Sequence, residues 1–316
     1  MIKEKNACIN QNKKRYIMKD LIIILGCLFF FVACNKEEDG KLKPTETHRD
    51  WFVAYDDPND PLKHEIYLTY EAFKVPIFVD DTIGEEERVD PYGNSYTHYE
   101  ILDVFYKIDK GKYSTDTCIE TRNTMDLMNG VKLIKEYVLP LIPFRIAPMS
   151  YLLVEELYAR SSKKSSYFNG MQTTVIGNIG SLKDMPREEW KALGAEIASV
   201  DFAQYVMEEY EKELLPFYKV SNDVYGFKVY DRQLSTTGTP PLLSTPTEEY
   251  GMLMLNEKNT LTQEKDIIQF IKQVLLGDKD AFMDKYKEWP LVKQKYEMME
   301  TLMNRALKEI ENVAKK

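Results

Sequence analysis

Apolar residues recur at helical spacing through one long stretch in the middle of the chain, from Asp184 to Leu215. Trp190, Leu193 and Ile197 set a period that continues through Val200 or Asp201 to Gln204, and Ala198, Phe202, Tyr205 and Val206 form an adjoining stripe. So wide an apolar arc marks a core helix. Asp184 is the expected cap, Pro186 suits the first turn, Glu188 and Glu189 suit the positive end of the dipole, and Pro216 is expected to end the run. At 1.5 Å per residue the stretch predicts a rod of roughly 45 Å. Between Ile197 and Met207 the only polar side chains are Ser199, Asp201 and Gln204. Asp201 is thus a lone carboxylate in an apolar helical run, either a satisfied structural acid or the remains of a site.

The flanking pattern predicts few strands before this helix and only helices after it. Asp60 or Asn59 caps a helix with Pro61 at its start, ending near Phe73, and Val75 to Val79 reads as a strand that Pro76 places at an edge or near its first residue. Gly84 to Asn94 reads as an acidic loop and Thr97 to Ile108 as a helix; the polar stretch to Asp116 is uninformative. Met125 to Leu139 is amphipathic, with Val131, Ile134 and Val138 on one side. Tyr151 to Val154 and Gln172 to Gly177 read as buried strands, with a hairpin or loop from Arg160 to Asn169 between them. Beyond an irregular connection, Thr245 to Glu248 reads as a capping box opening a helix through Leu255. Helices follow at about Thr262 to Leu276 and Lys279 to Lys315, the latter interrupted at Pro290. The pattern is α+β: a small sheet, a long central helix and a helical C-terminal half.

The N-terminus has a different character. Lys13, Lys14, Arg15 and Lys19 precede an apolar run from Leu21 to Ala33, which has the length of a signal-peptide core and is too short to span a bilayer. Phe31-Val32-Ala33-Cys34 resembles a bacterial lipobox, which makes Cys34 the expected lipidated first residue of the mature chain. Residues 1–33 are then a signal peptide, with Met18 as an alternative start, 34–50 a lipidated flexible tether, and 51–316 a single folded domain. Lys36, Glu37, Glu38 and Asp39 behind the cysteine resemble the surface-export signal of Bacteroidetes-type lipoproteins. The expected location is the outer membrane, lipid-anchored and facing the cell exterior.

Processing also changes the charge. The full chain carries −9; residues 1–33 hold six Lys/Arg and two acids, leaving 36 basic against 49 acidic residues, a balance of −13. Such a charge argues against nucleic acid as a partner. Of four cysteines only Cys118 would remain unmodified, so no intramolecular disulfide is expected.

A zinc site of the usual protease type needs two imidazoles one helical turn apart with a Glu between them. The chain has three histidines, His48, His64 and His98, and no two are four residues apart. Phosphate loops, Cys-x-x-Cys pairs and Gly-x-Ser-x-Gly elbows are absent from the sequence.

From about Leu62 to the C-terminus, the order of elements is similar to that of a lipoprotein family described as substrate import-associated zinc metallohydrolases, zinc-binding metallopeptidases encoded beside outer-membrane nutrient importers. The resemblance rests on the helix and strand from Glu65 to Val79, the long helix, the acidic-aromatic segment Thr247-Glu248-Glu249-Tyr250 and the C-terminal helix. Where that family has His-Glu-Phe-Ala-His, this chain has Val200-Asp201-Phe202-Ala203-Gln204. The resemblance implies a zincin-like fold, a third ligand near Glu248 or Glu249, and as partners a TonB-dependent importer and its binding lipoprotein.

The ligand positions themselves depart from the family. Valine has no lone pair to offer, a glutamine amide is a poor zinc ligand beside neutral imidazole, and Asp201 is one methylene shorter than the Glu. The sequence therefore predicts a degenerate, non-catalytic metallopeptidase-like domain with no metal or cofactor. Its vestigial positions are Val200, Asp201, Gln204, Glu248 and Glu249, and its role is that of a binding or accessory component in nutrient import. The alternative is a metal-dependent hydrolase in which Asp201, Glu208 and Glu248 or Glu249 collect a hard cation such as Ca²⁺ or Mn²⁺.

Overall fold

A computed structural model describes residues 49–90, 92–102, 104, 117–158, 164–222, 229–233, 245–255 and 259–314. The chain divides into two units, Met1–Asp50 and Trp51–Lys316, and every element described below belongs to the second. The signal segment, Cys34 and most of the expected tether lie outside the described residues.

Asp60 caps α1 (Pro61–Phe73) by accepting from the Leu62 and Lys63 amides, as its sequence signature requires. The short strand β1 (Ile77–Phe78) follows. Next, where the sequence predicts an acidic loop and a helix, the chain forms an antiparallel ribbon of β2 (Thr82–Val89) and β3 (Ser95–Ile101). Two local features override the helix reading. Tyr96, Thr97, Tyr99 and Ile101 favour a pleated backbone. Asp90 accepts from the Tyr92 and Asn94 amides while Gly93 takes a left-handed φ of 89°, which closes the turn.

Strand β4 (Thr117–Ile119) leads into α2 (Thr124–Leu133), capped by Asn123. The expected helix to Leu139 is not uniform: it widens into a π-helical turn at Ile134–Val138 and tightens into a 3₁₀ turn at Leu139–Leu141, where Pro140 supplies no amide. Strands β5 (Ser150–Leu153), β6 (Glu156–Tyr158), β7 (Tyr167–Asn169) and β8 (Thr173–Ile176) come next. The main sheet has the order β1-β5-β8-β7, with β1, β5 and β8 parallel and β7 antiparallel at the edge; β4 and β6 pair separately. Every residue of β5 and β8 is buried, the pattern of strands covered on both faces.

The central rod is shorter than its sequence pattern. Helix α3 (Arg187–Glu209) is preceded by Pro186 rather than Asp184 and stops at Tyr210, where φ −126° and ψ 31° break the helical course. Its 23 residues span roughly 35 Å. Pro216 does not terminate it but lies inside a second helix, α4 (Glu211–Asn222). The break keeps Tyr210, Leu214 and Phe217 all in the core. The expected helix through Leu255 is only a 3₁₀ turn, Thr247–Tyr250, ended by left-handed Gly251 (φ 69°), and no side chain caps it. Helices α5 (Gln263–Leu276), α6 (Lys279–Lys285) and α7 (Pro290–Ala314) complete the chain, with Thr262 capping α5. The protein is α+β, with strands before α3 and helices after it.

One core joins α1, one face of the sheet (Tyr151, Leu153, Ile176), α3 and the C-terminal helices. A smaller one covers the opposite face, where Leu152, Val154 and Val175 meet Phe52 and Phe78. Within the helical half, Lys295 of α7 and Asp266 of α5 form an ion pair with no solvent exposure. The Lys295 ammonium also donates to Ser221 Oγ at 3.0 Å and lies 4.3 Å from the Phe217 ring centre, while the Tyr230 hydroxyl donates to Asp266 at 2.7 Å. Burial pushes the Asp266 carboxyl up and the Lys295 ammonium down, against the attraction between them.

Candidate functional site

Helix α3 carries Val200, Asp201 and Gln204, and its placement is tightly constrained. Gly194 lets it cross the π-helical turn: a Cβ there would lie 2.3 Å from the Tyr137 carbonyl oxygen. The helix buries Ile197, Phe202 and Val206, is tied to α5 by the Glu196–Lys272 pair at 2.7 Å, and turns Asp201 toward the edge strand β7.

Three side chains link sheet to helix at that edge. Asn169 ends β7 and pairs in register with Thr174 of β8. The Thr174 hydroxyl donates to Asn169 Oδ1 at 2.5 Å, which directs the amide nitrogen outward to donate to Asp201 Oδ1 at 2.9 Å. Asp201 is only 7% exposed, and its Oδ2 is buried with no hydrogen-bond partner, as is the hydroxyl of Tyr151 on β5. Burial pushes the Asp201 carboxyl up to about 7, with the Asn169 bond opposing the shift. Tyr151 is pushed well above its ordinary value by burial and then by the charge of Asp201. Tyr167 is likewise raised, by burial first and then by Glu196, which is held at 2.7 Å by Lys272.

A cleft runs over this arrangement. On one side a cavity of about 550 Å³ lies between β7, α3 and α5, with Val200, Ala203, Gln204, Met207, Ile268 and Asn169 among its lining residues. On the other side a smaller cavity of about 230 Å³ is bordered by Arg145, Met149, Met171, Asp201, Gln204 and Glu208. Asn169, Gly170 and Gln204 border both, so the two cavities adjoin along the edge strand. Exposed apolar side chains, Met149 (57%), Met171 (78%) and Met254 (44%), stand at its rims.

Val200 and Gln204 therefore line a cleft, and Asp201 forms part of its floor. The Gln204 amide donates to Glu208 at 3.1 Å, which uses that carboxylate within the helix. Glu248 and Glu249 sit on the 3₁₀ turn and border neither cavity. Among the described residues, the one place where three acidic, His or Cys ligand atoms lie within 4.8 Å of one another is Asp80, Asp81 and Glu120. The set of Asp201, Glu208 and Glu248 or Glu249 anticipated for a hard cation is therefore not assembled: the 3₁₀ turn keeps its acids off the cleft wall. Neither described histidine approaches Asp201 as a partner. His64 meets Asp56 at 2.7 Å and His98 meets Glu100 at 3.2 Å; His48 lies outside the described residues.

Sequence reasoning missed Asn169, Thr174 and Tyr151. The sequence places Asn169 at the end of a hairpin or loop, and the signal for its role is the short Tyr167-Phe168 pair followed by Asn-Gly, a strand end at a turn. Comparison with protein-family models, with curated proteins and with solved structures gives no match.

Proposed function

We propose that the protein is a lipid-anchored surface protein whose zincin-like domain has lost its metal site and binds ligand without cleaving it, as a binding or accessory component of an outer-membrane nutrient importer. The observation that carries this reading is the cleft between β7 and α3. It is open where Val200 and Gln204 offer no metal-binding pair; its buried acid, Asp201, is tied to Asn169, and Glu208 accepts from the Gln204 amide. An extended peptide bound in the cleft would lie along β7, with the methionine rims accepting varied side chains. The membrane anchor at Cys34 and the importer come from the sequence resemblance.

The test uses a tryptic digest of casein as probe. Wild-type protein is expected to bind peptides saturably with the digest left intact by mass spectrometry. Gln204→Trp, at an exposed position bordering both cavities, is expected to weaken binding by about tenfold or more, a hot-spot-sized effect. Chelator-sensitive cleavage of the probe would overturn the reading.

A further inference from the structure

The β2–β3 ribbon inverts the usual alternation of a half-covered sheet. Side chains on its inner face, beside Trp51, include the half-buried charged or ionisable residues Glu86, Arg88 and His98. Its outer face places Val89 (66% exposed), Tyr99 (52%) and Ile101 (58%) in water, and Tyr92 at the turn is 90% exposed. A ribbon that needed only to be soluble would point these the other way. Cross-strand pairing sets Glu85 directly opposite Tyr99 and Glu87 opposite Thr97, so on this face two exposed carboxylates stand beside the Tyr99–Ile101 pair and between it and Val89. At the base of the ribbon the carboxylates of Asp80, Asp81 and Glu120 converge, adding to the negative field.

We propose that this outer face is a docking surface for a protein partner that presents lysine or arginine beside an apolar centre. Exposed Tyr99 and Ile101 supply the desolvated part of such a contact, and Glu85 and Glu87 beside them select positive charge. The arrangement disfavours an acidic membrane surface, whose charge it would repel. The proposal is independent of the cleft, and either can fail without the other.

The probe is a synthetic peptide of alternating lysine and isoleucine, with an alternating glutamate and isoleucine peptide as its charge-reversed counterpart. Titration of the folded chain is expected to show saturable binding of the lysine peptide only, with amide NMR shifts confined to 82–101. Tyr99→Ser with Ile101→Ser, and separately Glu85→Lys with Glu87→Lys, are each expected to weaken binding by about tenfold. All four positions are exposed, so the variants are expected to keep the wild-type melting temperature. Equal binding by both variant pairs, binding of the glutamate peptide, or shifts centred elsewhere would each overturn the proposal.

Discussion

Asp201 is a buried acid with one good hydrogen bond, and its cost depends on pH. Its folded-state value of about 7 lies above the ordinary 3.8. Below 3.8 both states hold the proton and nothing is lost; between the two values the unfolded chain releases its proton while the folded one keeps it; above about 7 the loss is complete. This group therefore lowers stability as pH rises from about 4 to about 7, by about 4 kcal/mol in all, and adds no further slope beyond. Asp201→Asn keeps an acceptor for Asn169 and removes the titration. Urea unfolding of this variant is expected to show a gain at pH 8 that disappears at pH 4; an equal change at both pH values would contradict the assignment. Lys295 and Asp266 differ from it in forming a buried ion pair, through Asp266 Oδ2 alone, inside an aromatic enclosure. Lys295→Ala leaves a buried carboxylate alone and is expected to cost about 3–5 kcal/mol, whereas Lys295→Met combined with Asp266→Leu is expected to recover most of that. Denaturant midpoints of the single and double variants decide it.

At the scale of elements, the crossing of α3 over the π-helical turn is set by one missing side chain. Gly194→Ala adds a methyl into the Tyr137 carbonyl and is expected to destabilise by about 1–3 kcal/mol, outweighing the roughly 1 kcal/mol of helix propensity that alanine brings. A raised melting temperature would refute that account of the crossing. How legible these elements were follows from how local their causes are. Asp60, Thr262 and the breaker Pro290 act within a turn of their own position, so α1, α5 and the start of α7 could be read directly. Strands β5 and β8 announced themselves as short apolar runs. The β2–β3 ribbon did not, because its outward apolar residues and inward charges blur the alternation on which strand reading depends. Tyr210 gave no warning either: the break after α3 is imposed by the need to bury Leu214 and Phe217, a tertiary cause. The site was half legible. Asp201 stood out as a polar residue in an apolar run, but its partner Asn169 lies 32 residues earlier on a three-residue strand, and only the sheet register brings the two together.

For the whole molecule, the main core runs continuously from Leu62 in α1 through the sheet and α3 to Ile310 in α7. Residues 51–316 are therefore expected to unfold in a single transition, with circular dichroism and tryptophan fluorescence giving the same midpoint; separate midpoints would mean that the helical half is an independent unit. The same continuity places a cleft over the middle of α3 while leaving the ribbon to project its apolar strip elsewhere, two surfaces with different chemistry. The reading of the cleft rests on what Val200, Asp201 and Gln204 cannot do: offer a metal the pair of neutral imidazoles that would hold it one helical turn apart. Elemental analysis of the full chain, purified without chelator and then dialysed against zinc-free buffer, addresses this most directly. The expected result is zinc far below stoichiometric in the wild type; one tightly held zinc per chain would contradict the account.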